Sequence, residues 1–162
     1  MKILWLSNVK QTDAAANSSG TWLHPLATGL SRTGSVELYN ISIDLVSKTT
    51  RSDAGKIAQW LLPREELMVN RLPNESLIAD IQGIVNEIDP DIIHVWGTEL
   101  PWGLLTARGY LRGNILLEIQ GLKFTVADHF YSGLTTLELL STLNINEFIK
   151  PSASLPGLKR SF

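Results

Sequence analysis

The turn Ser18-Ser19-Gly20-Thr21 lies where a long polar loop meets the start of the first predicted helix. Free backbone amides at a helix N-terminus attract anions, and a glycine lets a ligand approach the main chain closely. Ser19, Gly20 and Thr21 are therefore candidate substrate-binding residues, and a diphosphate is the ligand that suits them. The alternative is that Ser19 only caps the helix. The sequence contains neither G-x-G-x-x-G nor G-x-x-x-x-G-K-[ST], the usual dinucleotide and P-loop patterns.

Polar residues also follow two apolar runs further along the chain. Gly97 and Glu99 come after one run, and Gln120 and Gly121 come after another. The Glu99 carboxylate could accept hydrogen bonds from sugar hydroxyls, or it could favour the start of the next helix through the helix dipole. The Gln120 amide could satisfy nearby backbone groups, or it could face the same crevice as Glu99. All of these residues are candidates for substrate contact.

The chain has three histidines and no cysteine. His94 lies inside an apolar run, where a histidine is more often a core residue than a catalyst. His24 is in the first turn of a predicted helix, where exposure or capping is expected. His129 precedes Phe130-Tyr131 and is a candidate for lining a pocket. The three do not have the local spacing of a metal site, so no metal is expected, and a thiol nucleophile is excluded.

Composition limits the class of protein. With 162 residues, 17.9 kDa and 44% hydrophobic residues, the chain can bury a full core as one globular domain. A net charge of -2 makes nucleic acid an unexpected partner. No apolar run approaches the roughly 20 residues that span a bilayer, and the first residues do not form a secretory signal. We therefore expect a cytoplasmic protein, which could work at the inner face of the membrane.

Strands and helices alternate along the sequence. The run after Asp89-Pro90 is rich in isoleucine and valine, which is typical of a strand buried on both faces in a parallel sheet. Asn74 is a plausible N-cap for a helix whose first turn holds Glu75. The predicted strands are 2–7, 36–43, 56–62, 91–96 and 114–119, and the predicted helices are 20–33, 75–88, 101–112 and 134–149. This alternation predicts an α/β fold, a Rossmann-like three-layer α/β/α domain with a mainly parallel sheet.

Right-handed crossovers then predict the strand order 3-2-1-4-5, with the strands numbered along the chain. Strands 2–7 and 91–96 become central neighbours, and the connections that follow them diverge to opposite sides. Ligands of open α/β sheets bind at such a switch point. The loops 8–20 and 97–101 should therefore share one crevice, with Gln120 one strand further out.

Four segments carry a resemblance to a known family: "KILWLSN", "SSGTWLHPLATGLSRTGSVELYNISI", "DIIHVWGTELPWGLL" and "ILLEIQGLKFTVADHFYSGL". Their order and spacing resemble the N-terminal domain of family 4 (group 1) GT-B glycosyltransferases, of the type found in bacterial polysaccharide biosynthesis. The resemblance implies two facing Rossmann-like domains, of which the N-terminal one mainly holds the acceptor and the C-terminal one the nucleotide-sugar. Residues 1–150 would be the N-terminal domain, and 151–162 a linker or the truncated start of an interdomain segment.

The resemblance also implies an activity. The full enzyme would be a retaining glycosyltransferase of the hexosyltransferase type, moving a sugar from a nucleotide-sugar donor to a glycan or lipid-linked acceptor without metal or other cofactor. The Gly20 loop would approach the donor diphosphate. Gln120 stands where many members carry a histidine, and it is assigned a catalytic role together with His129. These two residues and Glu99 would position acceptor hydroxyls.

The partners implied by the resemblance are the missing C-terminal donor-binding domain and the carbohydrate or lipid-linked acceptor. Peripheral membrane association of the full enzyme would fit a lipid-linked acceptor. The isolated domain is expected to be inactive, because the family's C-terminal E-x(7)-E segment is not in this sequence. The alternative from a different class is a non-catalytic flavodoxin-like or regulator-like α/β binding module.

Overall fold

The computed structural model describes residues 1–12, 22–64, 72–97, 101–119 and 135. The chain divides into two compact units, Met1–Gln120 and Gly121–Phe162, and the elements below belong to the first. In chain order they are β1 Lys2–Leu6, α1 Leu23–Arg32, β2 Glu37–Asp44, β3 Thr50–Ala54, β4 Ile57–Pro63, α2 Glu75–Ile88, β5 Ile92–Trp96, α3 Trp102–Ala107 and β6 Ile115–Glu118. The helix predicted over 134–149 lies outside the described residues, and the domain limits 1–150 and 151–162 stay predictions.

One six-stranded sheet has the order β3-β4-β2-β1-β5-β6. Every neighbouring pair is parallel except β3 and β4, which form an antiparallel edge. The five predicted strands have the predicted order, and β1 pairs directly with β5, with Leu6 opposite Val95. The predicted Rossmann-like fold with a mainly parallel sheet is confirmed.

Strand β3 lies between two predicted strands, 36–43 and 56–62, and is not among the predicted ones. Its side chains are mostly exposed, because it lies at the edge of the sheet and needs no apolar alternation. Gly55 has φ 58, a value that glycine adopts without strain, in the turn that leads into β4. The Arg51 guanidinium lies 5.2 Å from the centroid of the Trp60 ring, which adds a cation–π contact across the pair.

The two faces of the sheet carry separate cores. Parallel neighbours in register point their side chains to the same face, so alternate residues divide between two layers. One face packs against α2 and α3 through Leu4, Leu6, Ile41, Leu62, Ile93, Val95, Leu77, Ile81, Ile84, Ile88, Trp102 and Leu105. The other face packs against α1 through Trp5, Leu38, Ile57, Trp96, Leu23 and Ala27. The result is the predicted three-layer α/β/α arrangement.

Helix α2 has the predicted bounds and cap. The Asn74 side chain accepts a hydrogen bond of 2.8 Å from the Leu77 amide, and Glu75 lies in the first turn. The buried residues of the helix recur at helical spacing and pack against the sheet; they are Leu77, Ile78, Ile81, Ile84 and Ile88. The helix ends at Asp89, a non-glycine residue with φ 48, whose amide donates to the Val85 carbonyl.

The other two helices differ from their predicted limits. The described part of α1 begins at Leu23, with no side-chain cap at Trp22. The helix ends at Arg32, and Gly34 takes φ 70 just beyond the predicted limit of 33. Helix α3 ends at Ala107 rather than at 112, because Gly109 takes φ 75 and leaves the helical path. Among the described helices, none is both long and apolar enough to cross a membrane.

Candidate functional site

Most of the predicted site residues lie outside the described residues, and their roles stay predictions. These are Ser19, Gly20, Thr21, Glu99, Gln120, Gly121 and His129. Gly97 is described. It follows β5 with φ 83, and its amide donates a hydrogen bond of 3.0 Å to the Glu118 carbonyl. Gly97 therefore extends the pairing of β5 with β6 by one residue, in a backbone conformation that favours glycine.

The predicted switch point is present in the sheet. Chain connections from β1 lead to β2 on one side, whereas those from β5 lead to β6 on the other side. Both strands are central and parallel, so their carboxyl ends lie side by side at one edge. The segments that follow Leu6 and Trp96 therefore leave the sheet next to each other, which is the position that binds ligands in open α/β folds.

A group of buried polar side chains lies at this edge, on the α1 face. Ser7, Gln11, Asn40 and Gln59 are all between 0% and 1% exposed. They come from the segment after β1 and from the two neighbouring strands β2 and β4. Buried amides and hydroxyls are costly unless they form hydrogen bonds, so their partners decide what the group does.

Gln59 binds the backbone of Gln11 through both ends of its carboxamide. The Gln11 amide donates to Gln59 Oε1 at 3.0 Å, and Gln59 Nε2 donates to the Gln11 carbonyl at 2.7 Å. The side chain thus takes the place of a neighbouring strand for this one residue. Asn40 Nδ2 lies 3.4 Å from Gln59 Oε1 and connects the two amides.

Asn40 and Ser7 hold the preceding turn. Asn40 Nδ2 donates to the Val9 carbonyl at 3.2 Å, and Ser7 Oγ lies 2.8 Å from Asn40 Oδ1. The Val9 amide donates back to Ser7 Oγ at 3.3 Å. Residues 7–11 are therefore fixed to the sheet by side chains of β2 and β4.

A more exposed ion pair completes this attachment. Lys10 Nζ lies 3.0 Å from Asp44 Oδ2, with 43% and 31% of the two side chains exposed. The hydrogen bond from Lys10, followed by that from the Leu45 amide, holds the pKa of Asp44 below its ordinary value. Because solvent screens such a pair, we assign the attachment chiefly to the buried amides.

Sequence reasoning missed Asn40 and Gln59. Each is a lone amide inside an otherwise apolar strand, in "LYNISI" and "IAQWLL". A polar residue that breaks a buried run was the available signal, because such a group must find a partner in the folded chain. The partner lies 48 positions away in the case of Gln59 and Gln11, and local patterns do not reveal that distance.

His94 lies in a group of aromatic rings on the α1 face. Its ring stacks on Trp96 with centroids 3.9 Å apart, and the edge of Trp5 approaches at 6.4 Å. Trp22 in turn packs edge-on against Trp96 at 5.0 Å. Trp5 and Trp96 are buried core residues, whereas Trp22 is 46% exposed.

The His94 side chain is mostly buried and faces one carboxylate. His94 Nε2 lies 3.7 Å from Glu118 Oε2, which is an ion-pair distance but too long for a hydrogen bond, and Nε2 has no hydrogen-bond partner in the described part of the chain. Burial lowers the pKa of His94 below its ordinary value, although Glu118 acts in the opposite direction. A neutral imidazole packed among aromatic rings fits the structural role that its position in an apolar run predicted.

Two cavities in the described part of the chain lie elsewhere. One of about 390 Å³ is lined by the second half of α2 and by residues 109–112, and one of about 360 Å³ lies beside the amino ends of β2 and β4. Both are at the edge of the sheet opposite to the switch point. Within residues 1–12, 22–64, 72–97 and 101–119, no cluster of three or more His, Cys, Asp or Glu side chains could hold a metal ion.

Comparison with known proteins supports the fold. No family model and no curated protein matches the chain. Among solved structures, sucrose-phosphate synthase from Thermosynechococcus elongatus is similar, with a TM-score of 0.52 and 11% sequence identity over 86% of this chain and 38% of that chain. The chain has a GT-B-like fold. It spans well under half the length of that synthase, and at this identity the likeness concerns the fold alone.

Proposed function

We propose that this chain is the acceptor-side half of a retaining, nucleotide-sugar-dependent glycosyltransferase of family 4. The observation that carries the proposal is the switch point between β1 and β5 in a sheet whose fold is similar to part of a sucrose-phosphate synthase. The sequence segments that resemble family 4 include both strands and the connections after them. The acceptor is a glycan or a lipid-linked sugar, and peripheral association with the membrane belongs to the same proposal.

The protein's contribution to such a reaction is electrostatic and geometric. Backbone amides around Ser19, Gly20 and Thr21 stabilise the charge that develops on the leaving diphosphate. Gln120 and His129 orient the acceptor hydroxyl. These residues follow the carboxyl ends of β1 and β6 in the chain, which is the order that a site at this edge of the sheet requires.

Besides the acceptor, the proposed partner of this chain is a donor-binding domain. Support comes from the length of the similar synthase, of which this chain covers 38%, and from the family resemblance of the sequence. In this scheme the nucleotide is held mainly by the second domain, and this chain supplies the amides that face the diphosphate and the surface that binds the acceptor. No metal takes part.

The test uses the full-length gene product with UDP-glucose, UDP-N-acetylglucosamine and GDP-mannose as donors. We expect release of the nucleoside diphosphate from at least one donor, with faster release when a lipid-linked or oligosaccharide acceptor is added. The anomeric configuration of the product, measured by NMR, should equal that of the donor. A folded gene product that neither binds nor consumes any nucleotide sugar would instead support a non-catalytic binding module.

A further inference from the structure

The buried polar side chains at the edge of the sheet bind one another and also bind main chain of the segment after β1. Gln59 binds both backbone groups of Gln11, and Asn40 binds the backbone of Val9. Leucine at both positions would fill the core without a buried amide, which is strongly destabilising when it loses its hydrogen-bond partner. Two buried amides directed at one connection therefore specify its path.

We infer that Asn40 and Gln59 are positioning residues that fix residues 7–11 and so set the starting point of the ligand-binding loop after β1. Because both ends of the Gln59 carboxamide bind the backbone of Gln11, the position and the orientation of that backbone relative to the sheet are both fixed. The backbone bond from the Ser7 amide to the Ile41 carbonyl, at 3.0 Å, continues the parallel pairing up to this point. From Gln11 onwards the chain leads directly to Ser19-Gly20-Thr21.

The ligand part of this inference rests on the proposed function. Loss of the Gln59 bonds lets the segment leave its bound conformation, so the fraction of molecules ready to bind a diphosphate falls. The apparent affinity for nucleotide sugar falls only by the share that the amides after β1 contribute, because the second domain holds most of the nucleotide, whereas the acceptor is oriented by Gln120 and His129 rather than by this segment. A purely structural role in core packing would instead lower the stability of the whole sheet and leave the affinity of folded molecules unchanged.

Three variants separate these effects. Gln59→Leu removes both bonds with little change in volume. Gln59→Glu keeps both bonds while its carboxyl is protonated and loses the donor when it ionises. Because burial at this position raises the pKa of a carboxyl above its ordinary value, the variant should resemble wild type at pH 5 and lose the attachment at pH 8. Ser42→Ala is the matched control: Ser42 is 0% exposed on the same face of β2, two residues from Asn40, and its Oγ has no hydrogen-bond partner among the described residues.

The first measurement is amide hydrogen exchange in the full-length gene product, comparing residues 7–12 with β5. In Gln59→Leu we expect exchange of residues 7–12 to rise about tenfold or more, since each net amide hydrogen bond changes a local equilibrium roughly fivefold, while β5 is unaffected. Ser42→Ala should match wild type. If Gln59→Leu fails to fold, the same comparison can be made with Gln59→Glu. Its exchange rate at each pH between 5 and 8 is then divided by the wild-type exchange rate at that pH. Equal exchange in variant and wild type, or an equal rise in β5, would overturn the inference.

The second measurement is titration calorimetry with UDP-glucose and GDP-mannose. For whichever donor binds wild type, we expect Gln59→Leu to bind several-fold more weakly, and the acceptor KM to be unchanged. Equal donor affinity despite faster exchange would overturn the ligand part. If wild type binds no nucleotide sugar and the exchange result is as expected, the proposed function fails and the positioning role of Gln59 stands.

Discussion

His94 shows how a strand residue acquires unusual properties from its neighbours. It packs against Trp96 and Trp5 and faces Glu118 across to β6. Burial is the largest influence on its pKa, which lies below the ordinary value. The sequence placed His94 in a buried strand, with Trp96 two residues along on the same face. The edge contact with Trp5 depends on the register of β1 and β5 and could not be predicted from the local pattern.

The lowered pKa of His94 predicts a pH dependence of stability. The folded state binds the proton less readily than the unfolded state, so this contribution is fully present above the unfolded pKa of about 6.5 and is lost as the pH falls below it. The melting temperature should therefore decrease between pH 7.5 and pH 5.5, before the carboxylates titrate. His94→Phe should flatten this decrease, whereas His24→Gln on α1 should leave it in place. Thermal melts that show the same slope for wild type and His94→Phe would contradict the assignment.

Gly20 is the predicted residue on which the diphosphate assignment depends most. In the full-length gene product, Gly20→Val should lower transfer by roughly a hundredfold, because a branched side chain would occupy the space where phosphate approaches the amides. The melting temperature should change little. The matched control is Gly29→Val on α1, where an added Cβ has no heavy atom within 4 Å. Normal turnover of Gly20→Val would exclude the assignment.

At the scale of elements, the sequence predicts helices and strands that have a periodic pattern of hydrophobic residues. It does not predict an element that is stabilised by its position at the edge of the sheet. Helix α2 has a stripe of leucine and isoleucine and an Asn74 cap, and its bounds are as predicted. Strand β3 has neither an apolar run nor alternation, because an edge strand is stabilised by pairing with β4. The end of α3 depended on Gly109, whose positive φ outweighs the helical pattern that continues to residue 112.

The Asn74 cap gives a prediction at this scale. Asn74→Ala removes the acceptor of the Leu77 amide and should lower the free energy of unfolding by about 1 kcal/mol. Asn86→Ala, an exposed substitution in the second half of the same helix, should be neutral or stabilising by a few tenths of a kcal/mol, since alanine is the better helix former. Urea unfolding of both variants measures the difference. Equal effects of the two substitutions would show that the cap is not important for α2.

At the scale of the whole molecule, strand order and right-handed crossovers were enough to predict which strands meet at the switch point. The predicted order of five strands is found in the sheet, and β3 adds only an edge. The site was harder to predict than the fold. Its polar anchors, Asn40 and Gln59, lie inside strands, and they reach a connection that belongs to a third strand.

The division of labour between two domains gives the last prediction. If the donor is held mainly by a second domain, residues 1–162 alone should melt cooperatively but consume no nucleotide sugar above background. The full-length gene product should melt cooperatively and also consume nucleotide sugar. In the proposed scheme a diphosphate gains only part of its binding energy from the amides after β1, and millimolar affinity corresponds to only about 4 kcal/mol. A donor concentration of a hundredfold the Kd of the full-length protein should stabilise that protein by about 2.7 kcal/mol. The same concentration should stabilise the isolated chain by much less. Turnover by residues 1–162 alone would show that one domain carries the whole reaction.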